Sequence, residues 1–233
     1  GLFCGTKFVN APFTTTTGGT TSADFTGDPT DPSGSEAEVF YAYYPYSAHA
    51  VLEGSVVSGL SIPAVQTFAT KSFATELCPM ATSGADYSRL AFRTIGTVLK
   101  FQVTGQKNVT KIELTGNDGE ALAGDYTIDF VGETPEMKFS GTETTLTLTC
   151  PEPVALNDAS ATEFYFVLPA GVEFTKGITV KVYTDDNAEP MVKEYASPLT
   201  TRPNKLVTVK AFTYSVPVTS IEEANEALSK GTS

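Results

Sequence analysis

The sequence predicts an all-β protein, and three observations support that prediction. Only 18% of the 233 residues are charged, and Thr, Ser and Gly fill much of the chain. The β-branched side chain of threonine favours strands. Short segments in which apolar and polar residues alternate recur along the sequence, and turn-forming pairs separate them. Strand-like segments at this spacing are typical of β-sandwiches rather than of parallel α/β sheets.

The chain begins with a lead, residues 6–38, that is poor in aliphatic side chains and rich in Thr, Gly and Asp. Its acidic part, residues 24–38, contains oxygen ligands that could hold calcium. It lacks the alternating carboxylates and the closing Glu of a calcium-binding loop. A solvated loop is therefore the favoured interpretation, with a calcium site as the alternative.

An aromatic stretch follows at residues 39–48, in a chain without tryptophan. Aromatic residues favour strands, and a proline cannot donate to a ladder, so we expect a strand that ends at Pro45. Its rings either pack in the core or form a platform on which a ligand stacks, and the core is the favoured interpretation. The rings in question belong to four tyrosines: Tyr41, Tyr43, Tyr44 and Tyr46.

The next segments are weaker signals. Residues 51–63 contain short apolar patches between glycines. Residues 64–80 keep neither a period of two nor one of 3.6, so we expect an irregular, partly buried connection there. Residues 83–86, Ser-Gly-Ala-Asp, are a plausible domain boundary.

The second half of the chain contains seven strand-like segments, and Asn117-Asp-Gly119 marks a turn between two of them. Residues 163–169 are continuously apolar, which is typical of a central strand buried on both faces. The seven segments are residues 98–103, 109–114, 122–130, 144–149, 163–169, 177–184 and 205–213.

The last residues change character. Ser220-Ile-Glu-Glu223 is a capping box, and the apolar residues after it follow helical spacing, so a short C-terminal helix is predicted. We therefore expect three parts: an N-terminal β domain at residues 1–84, a C-terminal β-sandwich at 85–215, and a linker with a helix at 216–233. That helix lies on the β domain or leads into a further module.

Charge limits the partners. The chain has 27 acidic and 15 basic side chains, a formal net charge of −12. This charge repels phosphate backbones and anionic lipid, so neither nucleic acid nor a membrane surface is an expected partner. No apolar run approaches the roughly 20 residues that a membrane span needs. No intact signal peptide opens the sequence, which is expected to be a mature or trimmed piece of a longer precursor.

Catalytic patterns are weak throughout. His49 is the only histidine, and no G-x-S-x-G motif presents a serine for it to activate. Asp185 and Asp186 are adjacent in a predicted turn, whereas a glycosidase needs two carboxyls facing each other across about 5–9 Å. We therefore predict a protein that is not an enzyme, with no catalytic residue, no cofactor and no metal.

The three cysteines, Cys4, Cys78 and Cys150, are far apart in the sequence. An odd number without C-x-x-C spacing indicates neither a disulfide framework nor a zinc site. One pair could still form a bridge in an oxidising compartment, and the sequence does not say which.

Several short motifs, in their order and spacing between residues 35 and 215, resemble the fimbrillin family of surface and pilus proteins of Gram-negative gut and oral anaerobes. They are Phe40-Tyr-Ala-Tyr-Tyr-Pro-Tyr46, Ile62-Pro-Ala-Val-Gln66, Lys71-Ser-Phe-Ala74, Pro79-Met-Ala81, Leu90-Ala-Phe92, Val98-Leu-Lys-Phe101, Ile112-Glu-Leu-Thr-Gly-Asn117, Leu122-Ala-Gly124 and Phe164-Tyr-Phe-Val-Leu-Pro169.

The resemblance implies two β-sandwich domains of transthyretin-like topology, export to the outer membrane as a lipoprotein, and a role in fimbriae or adhesion. In the family, shaft subunits polymerise after cleavage at an arginine removes an early strand, and a neighbour's strand fills the groove. The first arginine here is Arg89, which favours a tip, accessory or stand-alone subunit over a shaft subunit. Residues 218–231 resemble the opening helix of a further module, so the natural chain is expected to continue.

These observations predict a non-enzymatic, fimbrillin-like adhesin or fimbrial accessory or tip subunit at the cell surface, held at the outer membrane by a lipid anchor outside this sequence. Its expected partners are other fimbrial subunits, through strand addition, or ligands on host or bacterial surfaces. The alternative is a carbohydrate-binding or support module of a larger surface polysaccharide-processing protein. A flat row of exposed tyrosine rings would favour that alternative.

Overall fold

A computed structural model describes residues 1–16, 24–74 and 77–216. These residues form strands, turns and a single-turn 3-10 helix, Tyr87–Arg89, so the all-β prediction is confirmed. In this part of the chain no helix has the length and the apolar composition that crossing a membrane requires. The predicted C-terminal helix lies outside the described residues.

The strands, in chain order, are β1 (Leu2–Cys4), β2 (Phe8–Ala11), β3 (Phe40–Tyr44), β4 (Val51–Glu53), β5 (Val56–Ile62), β6 (Val65–Ala69), β7 (Ser72–Phe73), β8 (Met80–Gly84), β9 (Arg93–Thr94), β10 (Thr97–Thr104), β11 (Asn108–Gly116), β12 (Gly124–Asp129), β13 (Glu136–Phe139), β14 (Thr145–Ala155), β15 (Thr162–Leu168), β16 (Glu173–Phe174), β17 (Ile178–Thr184), β18 (Asn187–Tyr195), β19 (Leu199–Thr200), β20 (Lys205–Thr208) and β21 (Phe212–Thr213).

The strands assemble into sheets of different sizes. The strand orders are β2-β1-β3-β8-β9, β13-β12-β5-β4, β18-β17-β11-β14-β6-β7 and β15-β10-β20, with β21 also on β10 and β16 paired with β19. Most pairs are antiparallel, whereas β6 on β14 and both β20 and β21 on β10 are parallel.

The short strand β1 separates two apolar clusters. Phe3 points into the main core, where its ring stacks on Tyr43 with centroids 6.2 Å apart. Leu2 and Cys4 point the other way, into a smaller cluster with Phe8 and other apolar residues of β2 and β3. Because successive side chains of a strand face opposite sides, a three-residue strand can contribute to both clusters.

Three strand pairs join segments that the sequence assigned to different domains. β5 pairs with β12, β6 pairs with β14, and β8 pairs with β9. The main core likewise contains side chains from both sides of residue 84, such as Tyr43, Val57, Phe101 and Val180. The division into domains at residue 84 stays a prediction.

Most predicted strands of the second half are found. Six of the seven segments coincide with β10, β11, β12, β14, β15 and β17, while residues 205–213 divide into β20 and β21. The strands β13 and β18 were not predicted. Both lie at the end of a sheet and carry charged residues. β13 is only four residues long, and β18 contains Glu189, Lys193 and Glu194, so each gave a weak strand signal.

Two sequence predictions were wrong. Residues 64–80, expected to be an irregular connection, contain β6 and β7. The apolar segment at 163–169, expected to be a central strand, forms β15 at the end of its sheet. Phe164, Phe166, Val167 and Leu168 are nevertheless buried. Leu77 and Phe73 pack on Val167, while Phe164 and Phe166 belong to the main core.

The free edge of β15 is closed by a side chain. Gln66 of β6 is 1% exposed, and its Nε2 donates to the carbonyl oxygen of Val167 at 2.8 Å. The backbone N–H of Val167 donates in return to Oε1 of Gln66 at 2.9 Å. The side-chain amide therefore satisfies the backbone N–H and C=O of Val167, as a further strand would, and it joins the sheet of β6 to that of β15.

Candidate ligand-binding groove

An open groove of about 940 Å³ lies beside the edge strand β2. One side is formed by β2 and the residues after it, including Val9, Asn10 and Thr14. The other sides are formed by residues 26–30 of the acidic loop and by the turn after β3. The volume is within the range of about 300–1,000 Å³ that is usual for small-ligand sites.

Tyr46 gives the groove its aromatic wall. It is 45% exposed, whereas Tyr43 is 1% exposed and belongs to the main core. Tyr41 packs on the ring of Phe130 with centroids 4.9 Å apart, and Tyr44 is half-buried. The four tyrosines therefore do not form a flat exposed row, and Tyr46 alone is open to a ligand.

The buried phenol of Tyr43 joins Asn10, which lines the groove, to the turn after β3. Its hydroxyl donates to Oδ1 of Asn10 at 2.6 Å and also lies 3.0 Å from the carbonyl oxygen of Ser47, while it accepts from the N–H of Ser47 at 3.2 Å. Nδ2 of Asn10 donates to the same Ser47 carbonyl at 2.9 Å. Burial raises the pKa of Tyr43 to about 12, so the hydroxyl keeps its proton at neutral pH. The network ties β2 to the turn that carries Tyr46.

The turn that carries Tyr46 is also hydrogen-bonded to β5. The hydroxyl of Ser47 donates to the carbonyl oxygen of Gly59 at 2.7 Å and accepts from the N–H of His49 at 3.2 Å. Gly59 has a φ of +75°, and a Cβ at this position would overlap the carbonyl oxygen of His49. Only glycine allows this close approach between the two backbones without strain.

The acidic loop is hydrogen-bonded along β2. Thr30 Oγ1 accepts from the N–H of Val9 and donates to its carbonyl oxygen, both at 3.1 Å. Thr14 and Thr26 exchange two backbone hydrogen bonds of 2.9 and 2.8 Å. The loop residues are nearly all exposed, with Asp28 at the groove. Within the described residues no three His, Cys, Asp or Glu side chains converge to form a metal site.

The other candidate residues lie elsewhere. His49 is exposed in the turn after β3 and is not part of the groove lining. Asp185 and Asp186 lie in the exposed turn between β17 and β18, where Asp185 accepts from Asn108 Nδ2 at 2.9 Å and Asp186 pairs with Lys107. Their carboxylates bind the start of β11 and do not face each other across a cleft.

The three cysteines are free thiols. Cys4 and Cys78 are buried, and the Cys4 thiol lies 3.3 Å from both the carbonyl oxygen and the N–H of Ala37. Burial raises the pKa of the Cys78 thiol and that of Cys150, the latter to about 11. A raised thiol pKa lowers the thiolate fraction, so these groups are poor nucleophiles at neutral pH.

The sequence drew attention to Tyr46 only as one of four tyrosines whose rings were expected to pack in the core, and it did not indicate the polar residues of the groove. Asn10, Thr14, Thr26 and Thr30 lie in a Thr-rich lead that gives no functional pattern. The sequence held one weak signal, the asparagine at position 10. Asparagine is enriched in left-handed backbone conformations, and Asn10 adopts one, with a φ of +51°. That preference can suggest a turn but does not indicate which side chains meet across it.

No family model matches the chain, and no curated protein matches it. Among solved structures, a Bacteroides uniformis chain named "putative cell adhesion protein" is 12% identical, with a TM-score of 0.43, over 89% of this chain and 87% of that chain. A Bacteroides fragilis chain of the same name is 12% identical, with a TM-score of 0.44, over 90% of this chain and 75% of that chain. At these values the likeness assigns neither a family nor a function.

Proposed function

We propose that this chain is a non-enzymatic, fimbrillin-like adhesin or fimbrial accessory or tip subunit that binds a surface ligand through the groove at Tyr46. The exposed ring of Tyr46, in a groove that polar side chains also line, is the observation that carries the proposal. The motifs in the sequence that resemble the fimbrillin family support it. The proposal includes the two-sandwich organisation, a location at the outer-membrane surface and a lipid anchor outside this sequence.

The groove suits an uncharged, hydroxylated ligand. Its polar lining consists of hydroxyl and amide side chains from Asn10, Thr14, Thr26 and Thr30, with the carboxylate of Asp28 beside them. An aromatic face next to such groups can stack on an apolar face of the ligand while hydroxyls form hydrogen bonds. A net charge of −12 disfavours a strongly anionic partner at this site.

The same ring supports the alternative, a carbohydrate-binding or support module of a larger surface polysaccharide-processing protein. The two functions differ in what the complete natural protein does with its ligand. An adhesin retains the ligand unchanged, whereas the alternative requires a catalytic domain elsewhere in the same protein. Sugar release by the complete natural protein would favour the alternative.

Strand addition to another subunit is a second mode of interaction. The longest strand at the end of a described sheet is β18, Asn187–Tyr195. It contains Pro190, Lys193 and Glu194, and proline and charges on an edge disfavour pairing with a further strand. The edge of β2 is partly occupied by Thr30. These features favour an accessory, tip or stand-alone role over a polymerising shaft.

The test is the binding of fluorescently labelled protein to immobilised mucin oligosaccharides and to epithelial cell layers. Tyr46→Ala should reduce binding at least about 10-fold, because a central aromatic anchor contributes roughly 2 kcal/mol or more. Phe92→Ala is the matched control, since Phe92 is 44% exposed and lies outside the groove lining. Equal losses in both variants, or none in either, would remove the groove from the proposal.

A further inference from the structure

A second pocket, of about 330 Å³, lies on the outer face of the β15-β10-β20 sheet. Its floor is apolar. Val98 of β10 is in register with Leu206 of β20, and both line the pocket beside the ring of Tyr165. Phe73 and Cys78 also line it. None of the groove residues around Tyr46 contributes to this pocket.

Two lysines, Lys71 and Lys205, line this pocket. Among the described residues that line it there is no Asp or Glu. This is unusual in a chain with 27 acidic and 15 basic side chains. Among the described residues neither lysine forms an ion pair, whereas six other lysines do, namely Lys7, Lys100, Lys107, Lys111, Lys138 and Lys176.

The acidic group next to the pocket is already paired. The hydroxyl of Tyr165 donates to Oε2 of Glu163 at 2.6 Å, and Oε1 of Glu163 accepts from Lys100 at 3.0 Å and from Gln102 at 3.3 Å. Hydrogen bonds from Tyr165 and Lys100 lower the pKa of Glu163, so it stays ionised and engaged with these partners. The positive charge of Lys71 and Lys205 is left for a ligand.

The backbone at the pocket is also unusual. Lys71 has a φ of +57° in the turn between β6 and β7, and Asn204 has a φ of +56° in the turn before β20. A left-handed conformation is unfavourable for a lysine, and glycine would adopt it without cost. A strained residue retained at a pocket is a reason to look for a function of its side chain.

We propose that this pocket binds a carboxylated sugar, such as a uronic or sialic acid at the end of a glycan. The carboxylate lies between the ammonium groups of Lys71 and Lys205. The sugar hydroxyls bond to Ser72, Thr94 and Asn204, which also line the pocket, and one face of the sugar lies on the apolar floor. A neutral sugar has no charge to pair with the two lysines, and a plain fatty acid leaves the three polar side chains unused. This site is independent of the groove at Tyr46.

The test is a titration of the purified chain with glucuronate and with N-acetylneuraminate, followed by NMR shifts of the pocket residues. Methyl glucoside is the neutral probe. A short peptide with a free carboxyl end represents the alternative ligand, a carboxylate that belongs to no sugar. We expect a Kd on the order of 1 mM for at least one acidic sugar, as is usual for a ligand of this size, and weaker binding at high salt. Which of the two sugars binds more tightly distinguishes uronic from sialic acids.

Three variants separate binding from folding. Lys71→Gly and Lys205→Gln should each weaken binding of the acidic sugar at least about 5-fold, because each removes one charge-assisted hydrogen bond to the carboxylate. Lys71→Gly should not lower the melting temperature, since glycine relieves the left-handed backbone. Lys210→Gln, at an exposed lysine outside the pocket, should leave binding unchanged.

Four outcomes would overturn the proposal. They are no binding of either acidic sugar at 10-fold the expected Kd, equal binding of methyl glucoside, tighter binding of the peptide carboxylate, or equal losses in all three lysine variants. Tyr46→Ala should leave this binding unaffected, so the adhesin proposal and this one can fail separately.

Discussion

Replacing Gln66 tests whether a single side chain holds the edge of β15. Gln66→Leu keeps most of the side-chain volume and removes both hydrogen bonds to Val167, which is itself 1% exposed. The backbone N–H and C=O of Val167 then lie buried without partners. Each such group costs about 1–3 kcal/mol, so the loss in unfolding free energy is about 2–6 kcal/mol. A domain of ordinary stability has roughly 5–15 kcal/mol in total.

The measurement is equilibrium unfolding in urea, followed by far-UV circular dichroism because the chain contains no tryptophan. Gln106→Leu is the control, since Gln106 is exposed and its replacement should change the unfolding free energy by less than about 0.5 kcal/mol. If Gln66→Leu also stays within about 0.5 kcal/mol of the wild type, at an unchanged m-value, the side chain does not hold this edge.

Gln66→Glu adds a test with a defined sign. A carboxylate can accept from the N–H of Val167 but has no proton for its carbonyl oxygen, whereas the protonated acid can make both bonds. Burial and the facing carbonyl raise the pKa of the new acid above its unfolded value. The deficit in stability relative to the wild type should therefore shrink as the pH falls from 7 towards 4.

Three further predictions concern other buried contacts. The pKa of Tyr43 is about 12 in the folded chain and 10 in the unfolded one. Its contribution to the unfolding free energy is therefore complete below pH 10 and is lost as the pH rises from 10 to 12. In Tyr43→Phe the unfolding free energy should fall less steeply over that range, as measured by urea unfolding at each pH. Gly59→Ala should lower the unfolding free energy in urea by about 3 kcal/mol, because the new Cβ overlaps a backbone oxygen. Gly54→Ala is the control: Gly54 also has a positive φ but its Cβ would lie in open space, so the loss should be only about 1 kcal/mol. Thr201→Val removes both hydrogen bonds between the buried Thr201 hydroxyl and the backbone of Val172, and should lower the melting temperature with a loss of about 2 kcal/mol.

The strands that could be predicted are those with one buried face and one more exposed face. In β17, buried and half-buried residues alternate along the whole strand, and in β10 they alternate from Leu99 onwards, so the period of two was visible in the sequence. The place of β15 at the end of its sheet could not be predicted. Its burial depends on Leu77 and Phe73, and its edge on Gln66, which lies 101 residues away from Val167.

The candidate groove was predictable only in part, for a similar reason. The aromatic stretch was visible, but the alternation within β3 and the turn after it decide that Tyr43 is buried and Tyr46 exposed. The polar wall depends on Asn10 and Thr30, which reach the groove through contacts with residues distant in sequence. Local patterns carry no information on such contacts.

The parallel pairing of β20 with β10 has a consequence for the order of folding during synthesis. Thr97 of β10 is bonded to the strand that begins at Lys205, so one edge of β10 stays open until more than a hundred further residues have been made. Contacts so distant in sequence slow folding, and a nascent chain with an open apolar edge aggregates readily. We therefore expect the sheet of β15, β10 and β20 to close late, only after most of the chain has been made, with β10 exposed to non-native contacts until then.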